Sequence, residues 1–267
     1  MTLREAAEAL RAAGIDYPEY DARDLFRAFG GVSGIIMQNT ECNSRELEAA
    51  LARRIAREPL QYIIGNVEFY RENYRVTPEC LIPRPDTEIL VEYAVRQIPE
   101  GESFADLCCG SGCVGISTLN NTRSTRCVSY DVSRGAISLT LENAKRNRVD
   151  DRLTAIEKDL LKEDIDGEYF AILSNPPYIP RKVYEGLEKE IFHEPEIALV
   201  GGESGLIFYE RLIPVSLKHL KEGGFIAFEI GYDQAEAISE LAEGHGLWCE
   251  ITKDYSANDR VAVLRRK

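Results

Sequence analysis

From Pro83 onward, short apolar runs alternate with amphipathic stretches, and no other feature restricts the fold as much. The spacing predicts a helix over 86–97, a strand over 103–108, a helix from Ser111, a strand over 126–131 and a helix over 133–147. Strands over 153–158 and 169–174 follow, then an irregular segment from Asn175 to Ser204. A helix over 205–221, a strand over 224–230, a helix over 233–244 and strands over 247–253 and 260–265 complete the chain. Strands separated by helices need crossover connections and therefore lie parallel. The last two leave no room for a helix, which predicts an antiparallel pair at one edge of an α/β, Rossmann-like sheet of seven strands.

The preceding part reads differently. Leu3, Ala7 and Leu10 share a helical face, Tyr20–Phe29 is amphipathic, and Leu47, Leu51 and Ile55 recur behind Ser44 as N-cap, with Pro59 ending that helix. Aromatic and β-branched residues over 67–76, broken by Arg71–Asn73, suit a hairpin. The expected organisation is a helical domain over 1–66, a hairpin linker over 67–82 and the sheet domain over 83–267.

Composition removes several function classes. Formal net charge is -13. Residues 1–66 carry 8 basic and 10 acidic side chains, leaving 24 basic and 35 acidic beyond them. Such a balance disfavours gripping phosphates along a nucleic acid. No apolar run reaches the roughly 18 residues a membrane span needs, and the N-terminus lacks a basic region followed by an apolar one, so a cytoplasmic protein is expected. Seven cysteines without CxxC spacing, and three scattered histidines, argue for reduced thiols in the core and against a zinc site.

The strand ending Asp106-Leu107 runs into Cys108-Cys109-Gly110-Ser111-Gly112 and then a helix, with Gly115 completing a formal GxGxxG. Such a turn lets a ligand approach main-chain N–H groups closely, and Asp131 ends the next strand where a carboxylate can hold a ribose diol. The pattern suits a dinucleotide dehydrogenase, an S-adenosylmethionine enzyme or merely a tight turn. Asp106 inside the first strand would repel a pyrophosphate and attract a cation, and Asp159 after the third strand can accept from an adenine amine. An acidic rim therefore favours S-adenosylmethionine over a dinucleotide.

Ser174-Asn175-Pro176-Pro177-Tyr178 closes the fourth strand. Consecutive prolines fix φ and remove two N–H donors, which leaves a rigid turn of carbonyl acceptors. The Asn175 side-chain oxygen and the Pro176 carbonyl can accept both hydrogens of a planar NH2 group, and Tyr178 can cover its flat face. The chemistry this suits is methyl transfer to an amide or amino nitrogen.

With PLQYIIGNVEFY (59–70), LIPRPDTEILVE (81–92), DVSRGAISLTLENAKRN (131–147), SNPPYIP (174–180), HEPEIALVGGESGLIFYERL (193–212), EIGYDQ (229–234) and KDYSANDRVAVLRR (253–266) in order, the chain resembles the release-factor glutamine methyltransferases, the PrmC/HemK family, over almost its whole length. The resemblance implies a seven-stranded S-adenosylmethionine-dependent domain. It also implies a helical domain that docks a class I peptide-chain release factor, whose Gly-Gly-Gln glutamine is methylated. Carried over by position, Cys108, Cys109, Gly110, Ser111, Gly112 and Asp131 belong to the cofactor site, with Asp159 and Leu160 beside the adenine. Arg84 and Thr87 fall near the amino-acid end of the cofactor, Asp106 and Asn175 line the same site, and Asn175, Pro176, Pro177 and Tyr178 hold the glutamine. Members usually carry glycine where this chain has Cys108, so a positive φ there would cost about 1 kcal/mol. A DNA adenine methyltransferase would use the same turn but needs a basic stripe that is missing. A nicotinamide-dependent oxidoreductase leaves Asn175–Tyr178 unexplained, and a catalytically silent S-adenosylmethionine-binding scaffold differs only in activity.

Overall fold

The computed structural model describes residues 1–31 and 35–267. It divides into two compact units, one of residues 1–66 with 188–193 and one of residues 67–187 with 194–267.

The first unit packs α1 (Leu3–Ala12), α2 (Pro18–Phe29), α3 (Arg45–Ile55) and the short α4 (Leu60–Ile64) around Leu10, Leu25, Phe26 and Leu47. Thr2 and Glu5 form a reciprocal capping box that starts α1, and Ser44 caps α3. Pro59 does not merely stop a helix. It sits at the N-cap of α4, where a missing N–H costs nothing. The segment 188–193 joins this unit through Glu190, which takes Arg57 Nη2 at 2.9 Å and lies 3.4 Å from Arg54 Nη1. Arg54 is also held by buried Asp21 at 2.7 Å.

At the start of the second unit stands a hairpin of β1 (Asn66–Phe69), whose first residue still belongs to the first unit, and β2 (Glu72–Arg75). Its turn falls on Tyr70 and Arg71, both at positive φ (48° and 75°), one residue earlier than the polar break at 71–73 suggests. Helix α5 (Glu88–Gln97) then leads into β3 (Ser103–Leu107), α6 (Cys113–Asn120), β4 (Arg126–Asp131), α7 (Arg134–Arg146), β5 (Leu153–Glu157) and β6 (Tyr169–Ser174). After the one-turn α8 (Arg181–Tyr184) come α9 (Ile207–His219), β7 (Leu220–Glu229), α10 (Ala235–Gly244), β8 (Leu247–Lys253) and β9 (Asp259–Arg266). The seven strands of the main sheet run in the order β5-β4-β3-β6-β7-β9-β8. All neighbours are parallel except β7–β9 and β9–β8. The fold is thus the expected α/β architecture with its antiparallel edge.

Strand β7 begins four residues before the expected 224, because Leu220 already pairs with Tyr169 ahead of a register shift, after which Phe225 pairs with Ala171. Two apolar layers cover the sheet faces, one built on Leu90, Phe104, Ile116 and Phe225, the other on Leu107, Ile172, Tyr209 and Phe228. Among the described residues no helix is long and apolar enough to cross a membrane.

Candidate active site

The sheet order places the switch in chain direction beside β3, with β4 on one side and β6 on the other, and open α/β sheets present their ligand crevice at such a point. A cleft of about 200 Å³ opens there, over the C-terminal ends of these strands. Its walls include Asp106, Cys108, Cys109, Gly110, Ser111 and Asp131. Asp159, Leu160, Asn175 and Pro177 also line it, as do Arg84 and Thr87 from the segment before α5. Gly112, Pro176 and Tyr178 do not.

The glycine turn is built from left-handed backbone. Cys108, Gly110 and Gly112 have φ of 57°, 54° and 80°. Cys108 therefore does adopt the conformation that glycine takes without penalty, at a cost on the order of 1 kcal/mol. Gly112 caps α6 rather than facing the cleft, and a Cβ there would stand 2.8 Å from Thr140 Cγ2. Two carboxylates organise this turn. Asp131 accepts the Gly110 N–H and the Ser133 N–H, each at 2.9 Å. Asp106 accepts the Gly115 N–H at 3.0 Å from inside β3. Burial pushes Asp106 up to about 7 against the Gly115 bond, and burial raises Asp131 as well despite its backbone donors. No lysine or arginine among the described residues is paired with either; Arg84 and Lys158, which also line the cleft, are paired with Glu194 and Asp166 instead.

Asp159 is differently placed. Its carboxylate takes the Leu161 N–H at 3.1 Å and Lys162 Nζ at 2.7 Å, and the Lys162 bond lowers its pKa. It lines the cleft while capping its own turn. Arg84 pairs with the buried Glu194 carboxylate, which also accepts the Ile82 N–H at 2.9 Å. Thr87 is 1% exposed, and its hydroxyl accepts Asn175 Nδ2 at 3.0 Å. Thr87, expected near the amino-acid end of the cofactor, thus lines the cleft and also supports Asn175.

That bond decides what Asn175 offers. With its NH2 on Thr87, the side-chain oxygen is left without a protein donor, and among the described residues no N–H donates to the Pro176 carbonyl. Asn175 lines the cleft at the end of β6, and the buried Pro176 next to it carries a second carbonyl without a donor among the described residues. Tyr178, expected to cover the flat face of the substrate amide, is tied to the end of β7. Its ring packs on the core layer around Tyr209 and Phe228, and its hydroxyl donates to Glu229 Oε1 at 3.1 Å. Burial and the neighbouring Glu229 charge drive its pKa upward. Gln234 staples the turn from outside, donating to the Tyr178 carbonyl at 3.0 Å and accepting the Gly231 N–H at 2.8 Å. The loop beyond fits against it only through glycine, since a Cβ on Gly205 (φ 80°) would lie 2.5 Å from the Tyr178 carbonyl oxygen.

Glu194, Glu229 and Gln234 are the residues that residue-by-residue reading does not single out. Their signal was present as polar residues flanking apolar runs, in HEPEIALV and in FIAFEIGYDQ.

Residues 85–222 match the Methyltransferase small domain family, and residues 2–65 match the PrmC N-terminal domain. A release factor glutamine methyltransferase of Clostridium botulinum is 42% identical over 217 residues, covering 78% of this chain and 76% of that protein. One of Caulobacter vibrioides is 36% identical over 273 residues, covering 97% and 93%. Among solved structures, a methyltransferase from Pyrococcus furiosus superposes with a TM-score of 0.54 at 18% identity, over 72% of this chain and 86% of that one, which speaks for the fold alone. By these matches, spanning both the helical segment and the sheet domain, the chain belongs to the release factor glutamine methyltransferase family.

Proposed function

We propose that this protein transfers the methyl group of S-adenosylmethionine to the side-chain amide nitrogen of the glutamine in the Gly-Gly-Gln motif of class I peptide-chain release factors. The observation that carries this reading is the polarity of Asn175, whose NH2 is spent on Thr87 and whose oxygen, like the neighbouring Pro176 carbonyl, has no donor among the described residues. Two fixed acceptors match the two hydrogens of a primary amide.

The residues around the cleft also fit the proposed methyl donor. Buried carboxylates at Asp106 and Asp131, raised in pKa and without a basic partner, complement a cation and would repel a pyrophosphate. When bound, S-adenosylmethionine supplies an electrophilic methyl on a positively charged sulfur. In this reading the Cys108–Gly112 turn, Asp106 and Asp131 hold it, with Asp159 and Leu160 at the nucleoside end and Arg84 and Thr87 near its amino-acid end.

An amide nitrogen is a poor nucleophile because its lone pair is delocalised, so the protein's task is mainly positional. Asn175 Oδ1 and the Pro176 carbonyl each accept one N–H, which fixes the amide plane and stabilises positive charge as it grows on nitrogen. No side-chain base is needed, since the nitrogen loses a proton readily once it carries that charge. Pro177 and Tyr178 keep the turn rigid, Pro177 through its fixed φ and Tyr178 through Glu229. The acidic surface supports a basic partner, whose approach it would accelerate.

The test is mass spectrometry of a purified release factor incubated with the protein and S-adenosylmethionine. The expected result is the mass of one methylene on the Gly-Gly-Gln peptide. An unmodified peptide alongside a methylated adenine oligonucleotide would overturn the assignment.

A further inference from the structure

The sheet register pairs Ser174 of β6 with Phe228 of β7, so Asn175 and Glu229 leave neighbouring strand ends side by side. Glu229 is 1% exposed. Its Oε1 takes the Tyr178 hydroxyl at 3.1 Å, whereas its Oε2 is buried with no hydrogen-bond partner among the described residues. A bare buried carboxylate oxygen needs a reason, because an unmet acceptor costs about 1–3 kcal/mol. Thr87 lies beside the same carboxyl and favours its ionised form. The Thr87 oxygen is already accepting from Asn175, so its own proton must be placed elsewhere.

We propose that Glu229 is a positioning residue whose carboxylate accepts the Thr87 O–H and thereby commits Asn175 to present its oxygen, rather than its NH2, to the acceptor amide. A terminal amide has nearly the same shape either way round, and only the polarity of its hydrogen bonds sets its orientation. An ionised carboxylate only accepts, so it fixes the direction of every bond from Thr87 outward. Burial pushes Glu229 up to about 7 and Asp86 adds to this, while Thr87, Arg260 and Tyr178 pull it back toward the charged form. Arg260 is itself held by buried Asp254 at 3.0 Å, which keeps a cation near the carboxyl.

The inference rests on Asn175 acting as an acceptor for the substrate amide, and Glu229→Gln tests it. Glutamine retains an oxygen for Tyr178 but turns an NH2 toward Thr87, which sends the Thr87 proton to Asn175 and reverses that amide. We expect kcat on a Gly-Gly-Gln peptide to fall by about 10- to 100-fold while the Kd for S-adenosylmethionine stays within about threefold. Thermal stability should be unchanged or higher, and the Asn175 side-chain amide signals in a proton–nitrogen correlation spectrum should shift. Thr87→Val should show the same kcat loss, Thr87→Ser should restore it, and Glu229→Gln combined with Thr87→Val should be no worse than either alone. Wild-type kcat in Glu229→Gln, equal impairment of Thr87→Ser and Thr87→Val, or a loss shared by stability and cofactor affinity would each overturn the role. If Glu229→Gln does not fold, the two Thr87 variants decide. A wild-type protein that leaves the peptide unmethylated refutes the underlying reading instead.

Discussion

Gly115→Ala is the most searching single change to the cofactor end of the cleft. Gly115 lies on α6 against the sheet, and an added Cβ would stand 2.9 Å from Asp106 Oδ2, 3.0 Å from Cys127 Sγ and 3.3 Å from Ser129 Oγ. All three neighbours belong to fully buried residues on β3 and β4, so none can swing aside. Restoring ordinary contact requires α6 to retreat by about 0.5 Å. That movement stretches the 3.0 Å bond from the Gly115 N–H, the one backbone donor Asp106 has, and tilts the glycine turn at the head of the helix. Overpacking costs about 1–3 kcal/mol, and a weakened bond to a buried carboxylate adds about 1–2. The better helix propensity of alanine returns about 1 kcal/mol. The net loss is about 1–4 kcal/mol, and its midpoint of about 2.5 kcal/mol corresponds to roughly 5–10 °C in Tm for a protein of this size. Scanning fluorimetry measures the first quantity and calorimetric titration the second, an affinity for S-adenosylmethionine weakened by at least about tenfold. A variant within about 0.5 kcal/mol of wild type, binding the cofactor equally well, would refute the packing argument.

Other consequences follow from the same geometry. Asn175→Ala should lower turnover by about 10²-fold or more while cofactor binding, read by titration, stays within about threefold, and equal rates would remove Asn175 from the chemistry. Gly205→Ala pushes on the Tyr178 carbonyl and should depress kcat more than cofactor affinity, with a stability loss of about 1–3 kcal/mol in thermal unfolding. Asp106 rises from 3.8 to about 7 on folding, so the stability it contributes is full below its unfolded value and is lost as pH rises through 7. Asp106→Asn lacks that dependence, and its stability relative to wild type should improve by on the order of 1 kcal/mol or more between about pH 5 and about pH 8 in urea unfolding. A difference that stays flat with pH would contradict the raised value.

Local pattern made much of the fold legible. The alternation that places β3 to β6 and their helices depends on neighbours in sequence, as does the glycine turn, where a positive φ at Gly110 and Gly112 is a property of those residues. The turn at Tyr70–Arg71 and the early start of β7 at Leu220 were not legible, because each depends on a pairing partner, β2 in one case and Tyr169 in the other. The same limit applies to the candidate site. Asp106 and Asn175 announce themselves beside special turns, whereas Glu194 and Glu229 matter only for what lies across from them.

The sequence by itself determined the class of sheet, the glycine turn and the rigid diproline corner, since these follow from periodicity and from the allowed φ of glycine and proline. Only the tertiary structure decided that Tyr178 faces inward to Glu229, that Arg84 is tied to Glu194, and that Thr87 takes the NH2 of Asn175. The reason is that a hydrogen bond's direction depends on which group stands opposite. The partner of Asn175 is 88 residues away in the chain, brought within 3.0 Å by the packing of the segment before α5 against the end of β6.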